Sequence, residues 1–341
     1  MTVATEGDLG DICYLLCVMS GMTGGPHDLV IRTSDHTKIR SVVDAERMCR
    51  MWKSLAESQP YIRSVSVYDG RSVDWNSGDF RRCNVHRPTM TLLSAHVRHY
   101  NLSMRGSIAI DGSEAWITVD PVKGIDGRVI VNRTDRYQNW LFPWKLVVEH
   151  YGHRILFLGS ENEHRSFCNS FGNVEFRETE DLRDVAALIA GSSLFIGNQS
   201  VCGAICEAMK HRHIQETSLG VPDCIFKRGN VQHVTDGSCV LPDVAGSGEL
   251  SIGTQISYTQ SPEMVNIGCP PPCHWVYGDR RNISCRALAG QLSAMDRSKT
   301  WQEWTNEIVR QTINRHPEFF RDMGAEGIIG ACREALKNAG Y

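Results

Sequence analysis

A short polar turn between an apolar run and a helical pattern is the part of this sequence best suited to phosphate chemistry. The apolar residues 193–196 stop at Gly197, the polar residues 198–200 follow, and small and apolar residues then recur at helical spacing. This order predicts a buried parallel strand, a tight turn and a helix. The free N–H groups and positive dipole at the start of such a helix attract phosphate. The alternative is an ordinary turn in which Ser200 only caps the helix.

The size and charge of the chain limit its class. It has 341 residues, of which 41% are hydrophobic and 22% charged, and its formal net charge is -3. The length predicts two domains, and the charge excludes a globally basic surface for nucleic acid. No apolar run approaches the ~20 residues of a membrane span, and the first residues lack the pattern of a signal peptide. Most of the 13 cysteines lie in apolar segments. Buried free thiols of this kind predict a cytoplasmic protein.

The elements that must position the turn follow an alternating pattern. Strands are predicted at 3–5, 29–31, 62–68 and 115–119, and helices at 12–19, 44–58 and 89–100. After a predicted linker at 123–127 the pattern restarts, with strands at 128–131, 154–158, 174–176, 193–196 and 213–216, and helices at 140–151, 161–171, 182–190 and after Ser200. Two terminal helices are predicted at 299–315 and 324–339. Strands that alternate with helices indicate α/β halves with doubly wound parallel sheets, which bind ligands at the carboxyl ends of their strands.

Two such halves resemble a known enzyme group. With a Gly-Asp-x-Gly-Asp turn at 7–11 and a Gly-Asn-Gln-Ser turn at 197–200, the chain is similar to the GT-B glycosyltransferases, and within them to the ADP-heptose:lipopolysaccharide heptosyltransferase-like group. The likeness covers about residues 1–220 and is strongest over 129–216. It implies two Rossmann-like domains that face each other across a cleft, an acceptor domain at 1–122 and a donor domain at 123–298. C-terminal helices at 299–341 would pack back toward the first domain. No metal ion or cofactor is implied, only a nucleotide-diphosphate sugar as co-substrate.

The resemblance assigns the catalytic base to the turn after the first strand. In the family the catalytic aspartate follows a glycine at the start of the first helix, and Asp11 after Gly10 matches that place. Asp8 is the second choice. As a base, Asp11 would take the proton of the acceptor hydroxyl while the sugar bond breaks. The alternative is that one or both acids only cap the helix.

The resemblance places the donor diphosphate against the start of the second half. Arg133, Thr134 and Arg136 follow its first strand, where family members carry a hydroxyl and a basic residue. The forked donors of arginine suit phosphate oxygens. A solvated charged turn is the alternative. The predicted donor-binding set also contains Gly10, Glu163, Asn198, Gln199, Ser200 and Val201.

Two acidic positions, Glu163 and Glu216, have both a functional and a structural interpretation, and one acidic segment has a functional one. Glu163 matches a Gly-x-x-x-Glu-like turn of the family near the nucleotide, but it is also an ordinary first-turn residue of a helix. Glu216 ends a strand, where it either approaches the ribose or lies at a solvated strand end. Residues 180–182 resemble the family segment that lines the base pocket.

The turn at 197–200 departs from the family pattern. Heptosyltransferases usually have Asp-Thr-Gly where this chain has Asn198, Gln199 and Ser200. An asparagine cannot act as an acid or base, but the backbone amides still suit phosphate. Binding of a nucleotide sugar is therefore still predicted, whereas the heptose is not assigned. Zinc is not predicted at Cys269, Cys273 and His274, with Cys285 beyond, because three prolines stiffen the segment and no fourth ligand is fixed.

These observations predict an inverting, metal-independent glycosyltransferase that moves a sugar from a nucleotide-diphosphate sugar to an acceptor hydroxyl. A sugar-nucleotide epimerase or hydrolase of the same fold is one alternative, although it would need histidines near the donor sugar. A non-catalytic nucleotide-sugar binding protein is another, and it would not depend on Asp11. The acceptor is a glycan, a small molecule or hydroxymethylated DNA. The DNA option rests on basic residues of the first half, for which plain solvated surface is the alternative: Arg32, Lys38, Arg40, Arg63, Arg71, Arg81 and Arg82.

Overall fold

The computed structural model describes most of the chain up to residue 257. The described residues are 1–35, 37–81, 91–105, 108–110, 112–139, 142–218, 222–226, 228–235, 238–244 and 254–257. Met1–Gln138, Trp144–His233 and Leu241–Thr254 form one compact unit, which holds both parallel sheets apart from the last residue of one edge strand. Asn139 and Val234 belong to a second unit, in which the Asn139 side chain donates to the Val234 carbonyl.

The first sheet has four strands in the order β3-β2-β1-β4. The elements of this half are β1 Thr2–Thr5, α1 Leu9–Ser20, β2 His27–Ile31, α2 Val42–Glu57, β3 Ile62–Val67, β4 Trp75–Asn76, a 3-10 turn Ser77–Arg81 and α3 Leu92–Met104. The pairings among these strands are parallel.

The second sheet has six strands in the order β10-β9-β8-β5-β6-β7. Its elements are β5 Val129–Asn132, α4 Trp144–Tyr151, β6 Ile155–Phe157, α5 Glu161–Phe171, β7 Glu175–Phe176, α6 Leu182–Gly191, β8 Leu194–Asn198, α7 Val201–Ala208, β9 His213–Glu216 and β10 Val231–Val234. A separate two-stranded sheet pairs β11 Ser238–Leu241 with β12 Thr254–Ser257. The pairings from β5 to β9 are parallel, which confirms the predicted α/β class.

The strand order reverses next to β5, and this reversal locates the ligand-binding edge of the second sheet. The chain runs outward from β5 through β6 and β7, and then returns to β8 on the other side of β5 and continues to β9. Loops that leave adjacent strands in opposite directions open a crevice at their carboxyl ends, where open α/β sheets bind ligands. Asn132 and Gly197 lie side by side at this edge.

The two halves pack directly on each other through their helices. Helix α1 is apolar on all sides and buried from Asp11 to Met19, as expected for a helix covered on every face. It packs against α7, and α2 packs against α6, so one cluster of buried apolar side chains includes both halves. Ser54 of α2 also donates a hydrogen bond to Asp181 at the start of α6. The halves are therefore held together by a shared core.

The predicted strand at 115–119 is wrong. The segment pairs with no strand among the described residues; instead the Trp116 and Ile117 N–H groups donate to the Ala208 carbonyl at the end of α7. Thr118 exchanges hydrogen bonds with the Gln59 side chain. The alternating apolar pattern arises because the segment crosses between the halves with Trp116 and Ile117 buried in their common core.

Several other expectations concern residues outside the described ranges: the helices at 299–315 and 324–339 and the Cys269–His274 segment. The eight described cysteines are unbridged, and Cys13, Cys17, Cys202 and Cys206 are buried as predicted. Cys49 and Cys168 are only half-buried. Burial raises the pKa of the Cys202 thiol to about 12. Within the part of the chain that the structure describes, no helix is long and apolar enough to cross a bilayer.

We predict that Gly191→Ala lowers the free energy of unfolding by about 1–3 kcal/mol, because it disturbs the packing of the segment that joins the two halves against α6. A Cβ at Gly191, the last residue of α6, would lie 2.2 Å from the Val122 carbonyl oxygen, and the Val122 N–H donates to the Ala187 carbonyl. Urea unfolding of the two proteins measures the change. Gly127→Ala is the control, because a Cβ there meets no atom within 4 Å. Equal free energies of unfolding for the Gly191 and Gly127 variants would contradict this description of the joint.

Candidate functional site

The candidate site lies at the carboxyl ends of β5 and β8, where the strand order reverses. The loop 133–138 leaves β5 and the turn 199–200 leaves β8, so the two predicted phosphate-binding segments meet at this edge. Helix α7 begins at Val201, with Ser200 as its N-cap in an extended conformation. The Ser200 hydroxyl accepts from the Gly203 N–H, as the capping interpretation predicted.

Asn198 ties the two segments together. Its side chain is fully buried, and Nδ2 donates to the carbonyl oxygens of Thr134 at 3.0 Å and Arg136 at 2.5 Å. Its Oδ1 accepts from the Thr134 N–H at 3.2 Å. A carboxylate can only accept hydrogen bonds, so an aspartate here would face two carbonyl oxygens without a proton to share. The departure from the Asp-Thr-Gly pattern thus has a local structural reason.

A second asparagine holds the start of α7. The Asn132 Oδ1 accepts from the Ser200 hydroxyl at 2.7 Å, and its Nδ2 donates to the Leu158 carbonyl at 2.8 Å. Asn132 therefore connects β5 to the end of β6 and to the N-cap of α7. The Gly197 backbone lies so close to Asn132 that a Cβ would be 2.8 Å from the Asn132 carbonyl oxygen. Only glycine fits at this point of β8 without a shift of the strands.

Arg133 forms an ion pair inside the protein. Its Nε lies 3.0 Å from the Glu216 Oε2, and its Nη2 lies 3.1 Å from the Oε1. Trp144 Nε1 also donates to Glu216 at 3.0 Å, and the Arg133 guanidinium lies over the Phe171 ring. Glu216 is fully buried, so its interpretation as a solvated strand end is wrong. The diphosphate contact of Arg133 stays a prediction, but its guanidinium already has a carboxylate partner.

Arg136 is the exposed arginine of the loop. Its guanidinium lies 4.6 Å from the centre of the Tyr137 ring and donates to the Tyr137 hydroxyl. Tyr137 adopts a left-handed conformation, with φ at 55°. Because the loop backbone is held by Asn198, the Arg136 side chain projects from a fixed base next to the start of α7. This arrangement leaves an exposed positive charge on the loop that follows β5.

Asp11 lies at the start of α1 in the first half. Its carboxylate is 4% exposed, and Oδ2 accepts from the Asp8 N–H at 2.9 Å. A Cβ at Gly7 would be 2.6 Å from the Asp11 Cβ, so the turn needs a glycine to pass this close. Asp8 is more exposed, and its Oδ1 accepts from the Lys38 N–H. Gly10 meets no neighbour that a Cβ would touch. The capping role of Asp11 is thus observed, and its role as a base stays a prediction.

The remaining predicted residues have structural partners. Glu163 closes the start of α5, where its Oε2 accepts from the Ser160 N–H and hydroxyl. Asp181 caps α6 by accepting from the N–H groups of Arg183 and Asp184. The Gln199 Oε1 accepts from the Ser218 N–H at 2.7 Å. These contacts match the helix-start interpretation of Glu163, and the predicted nucleotide contacts of these residues stay predictions.

The described residues contain no group of three or more His, Cys, Asp or Glu that could hold a metal ion. In the basic residues of the first half, Arg63 pairs with Asp28 and Arg71 with Asp69. The Arg63 guanidinium holds the pKa of the Asp28 carboxyl at about 2. Part of the predicted basic surface is therefore neutralised by its own neighbours.

The sequence interpretation missed two residues that line a cavity beside the start of α7. Tyr14 and His213 line one small cavity together with Gln199 and Ser200. Tyr14 follows Asp11 by three residues and so lies on the same face of α1, a signal that was present in the sequence. His213 was assigned only to a strand, because nothing in the spacing connects it with α1. Its place in the cavity depends on the packing of α1 against α7.

Comparison with known proteins finds likeness only among solved structures. No family model matches the chain, and no curated protein is significantly similar to it. The E. coli heptosyltransferase WaaC with ADP-2-deoxy-2-fluoro heptose is 12% identical, with 68% of this chain and 92% of that chain covered and a TM-score of 0.41. The glycosyl transferase family 9 protein from Veillonella parvula is 11% identical, with 63% and 79% covered and a TM-score of 0.42. The iron-containing dodecameric glycosyltransferase TibC from enterotoxigenic E. coli is 12% identical, with 98% and 76% covered and a TM-score of 0.42. All three of these proteins are glycosyltransferases, and WaaC is a heptosyltransferase.

We predict that Asn198→Asp destabilises the protein by about 2–4 kcal/mol at pH 8, because the new carboxylate would be buried against two carbonyl oxygens. A protonated carboxyl group can donate one hydrogen bond, so the difference from the original protein should narrow as the pH falls toward 5. Urea unfolding at several pH values measures both effects.

Asn162→Asp is the matched control for this change. Asn162 is exposed in the first turn of α5, where an added negative charge is compatible with the helix dipole. We expect no loss of stability there. If Asn198→Asp were as stable as the control at pH 8, the hydrogen-bond assignment of the Asn198 amide would be wrong.

Proposed function

We propose that the chain is a glycosyltransferase that moves a sugar from a nucleotide-diphosphate sugar to an acceptor hydroxyl, with inversion. The observation that carries this proposal is the start of α7 at the reversal of strand order, with Arg136 exposed beside it. A helix N-terminus at such a point favours a phosphate, and an arginine adds forked donors for its oxygens. In this proposal residues 123–298 hold the donor and residues 1–122 hold the acceptor.

The diphosphate would lie on the backbone amides that open α7. Val201 and Cys202 are the first residues of that helix, and their N–H groups point back toward the end of β8. Arg136 and the Thr134 hydroxyl would complete the contact from the other side of the crevice. Arg133 contributes indirectly in this account, because its pair with Glu216 fixes the place where the loop leaves β5.

Asp11 is the proposed base. It would take the proton of the acceptor hydroxyl as that oxygen attacks the anomeric carbon, while the bond from this carbon to the diphosphate oxygen breaks and its electron pair leaves with the nucleoside diphosphate. The α7 dipole and Arg136 would stabilise the negative charge that develops on the leaving group. Because these groups supply the positive charge, the proposal includes no metal ion.

We expect Asp11→Asn to lower kcat by about 100-fold or more and Arg136→Ala to lower kcat/KM by about 10- to 100-fold. The measurement is release of nucleoside diphosphate from a panel of nucleotide sugars in the presence of candidate acceptors. Asp11→Asn preserves the size of the side chain and an acceptor oxygen for the Asp8 N–H, so its effect reports on the base rather than on the cap.

Arg165→Ala is the control for the arginine, since Arg165 is exposed on α5 and belongs neither to the predicted donor site nor to the predicted basic surface. It should leave the kinetics unchanged. Turnover that persists in Asp11→Asn would exclude Asp11 as the base. Failure of every nucleotide sugar to bind would overturn the proposed function.

A further inference from the structure

A small cavity with a mixed polar and apolar lining lies between the two halves, next to the candidate site. Tyr14 of α1 forms one wall, and Gln199, Ser200 and Gly203 at the start of α7 form another. Its free volume is about 10 Å³, which is room for one water molecule. Ligand pockets are usually about 300–1,000 Å³, so the cavity is closed to a substrate in this structure.

His213 presents an unused hydrogen-bonding atom at this cavity. The residue is 3% exposed, and its Nε2 has no hydrogen-bond partner. Burial lowers the pKa of this imidazole well below its usual value, so the ring is neutral. Its Nε2 is a buried polar atom without a partner, and in one of the two neutral tautomers it accepts from an O–H or N–H group.

Phe226 forms another wall of the cavity. Its ring stacks on Tyr14 with the centroids 5.2 Å apart, and its carbonyl lies 2.8 Å from the His233 Nε2. The Gln215 amide donates to the Cys224 carbonyl in the same segment at 3.3 Å. These three contacts hold residues 224–226 against the cavity.

We propose that the Tyr14–Phe226 stack is the closed lid of a subsite for a hydroxyl-bearing sugar ring, with His213 Nε2 as its hydroxyl acceptor. The chemistry fits a sugar, because the Tyr14 ring offers a flat apolar face while the His213 Nε2 offers a polar atom without a partner. The Gln199–Ser200 wall places the subsite beside the proposed diphosphate position. The assignment of the sugar rests on the proposed function, whereas the lid does not.

The lid is tested without any nucleotide, by the rate at which iodoacetamide alkylates Cys224. Cys224 is half-buried and lies in the lid segment, and partial burial raises the pKa of its thiol. Phe226→Ala removes the stack and should raise the alkylation rate of Cys224 about tenfold. Mass spectrometry of the peptide that contains Cys224 measures this rate. Phe176→Ala is the matched control, because it removes a phenylalanine stacked on His164 at the far edge of the sheet. A rate equal to that of the control would overturn the lid.

The sugar subsite is tested by paired ligands. The affinities of ADP, UDP and GDP are compared with those of ADP-glucose, UDP-glucose and GDP-mannose, in the original protein and in His213→Phe. We expect the variant to weaken binding of the sugar-bearing form about tenfold and to leave the sugar-free form unchanged. His164→Phe is the control, because it makes the same substitution at a histidine outside the cavity. It should change the affinity for neither the sugar-bearing nor the sugar-free nucleotide.

Each result has a separate meaning. If His213→Phe lowered the affinity for the sugar-bearing and the sugar-free nucleotides equally, or lowered neither, the role of His213 in sugar binding would be overturned. If no nucleotide binds to any of the proteins, the proposed function and the sugar assignment fail together. The alkylation rates still decide the lid in that case.

Discussion

The amide of Asn198 is the constraint on which the rest of the candidate site depends. It lies at the end of β8 with no exposure to solvent, and it donates to two carbonyl oxygens of the loop that leaves β5. Loops at the carboxyl ends of parallel strands normally vary in position. Here one buried side chain fixes the loop against the start of α7, so Arg136 projects from a defined base. The choice of an amide rather than an acid follows from the hydrogen bonds it must donate.

The packing of α1 against α7 provides the second constraint. Both helices start at the carboxyl edge of their sheets, and their contact brings Tyr14 of the first half toward Gln199 and Ser200 of the second. The glycine at position 7 lets the turn after β1 pass against Asp11. An apolar helix interface therefore does more than stabilise the fold, because it packs α1, which carries Asp11 in its first turn, against the helix whose N-terminus is the proposed phosphate site.

Much of the fold could be predicted from local patterns, and the site could be predicted only in part. Helix α5 has the predicted bounds because Ser160 and Glu163 mark its start clearly. The segment at 115–119 has the alternation of a strand, but its backbone bonds go to α7 and to Gln59, which no local pattern reveals. Position in the sequence predicted Arg133 as a phosphate ligand, whereas its pairing with Glu216, 83 residues away, is a tertiary contact. The two arginines have the same side chain, but Arg133 is buried in its ion pair whereas Arg136 is exposed and available to a ligand.

The most direct test of the central claim removes a single backbone N–H from the start of α7. Proline is favoured at the first position of a helix, and Ser200 already has the extended conformation, with φ at -121°, that suits a residue before proline. Val201→Pro should therefore preserve stability while it deletes one proposed phosphate donor. Calorimetric titration with nucleoside diphosphates should show binding to the original protein and about tenfold weaker binding to the variant. Equal affinity in a variant of unchanged stability would contradict the placement of the diphosphate at this helix.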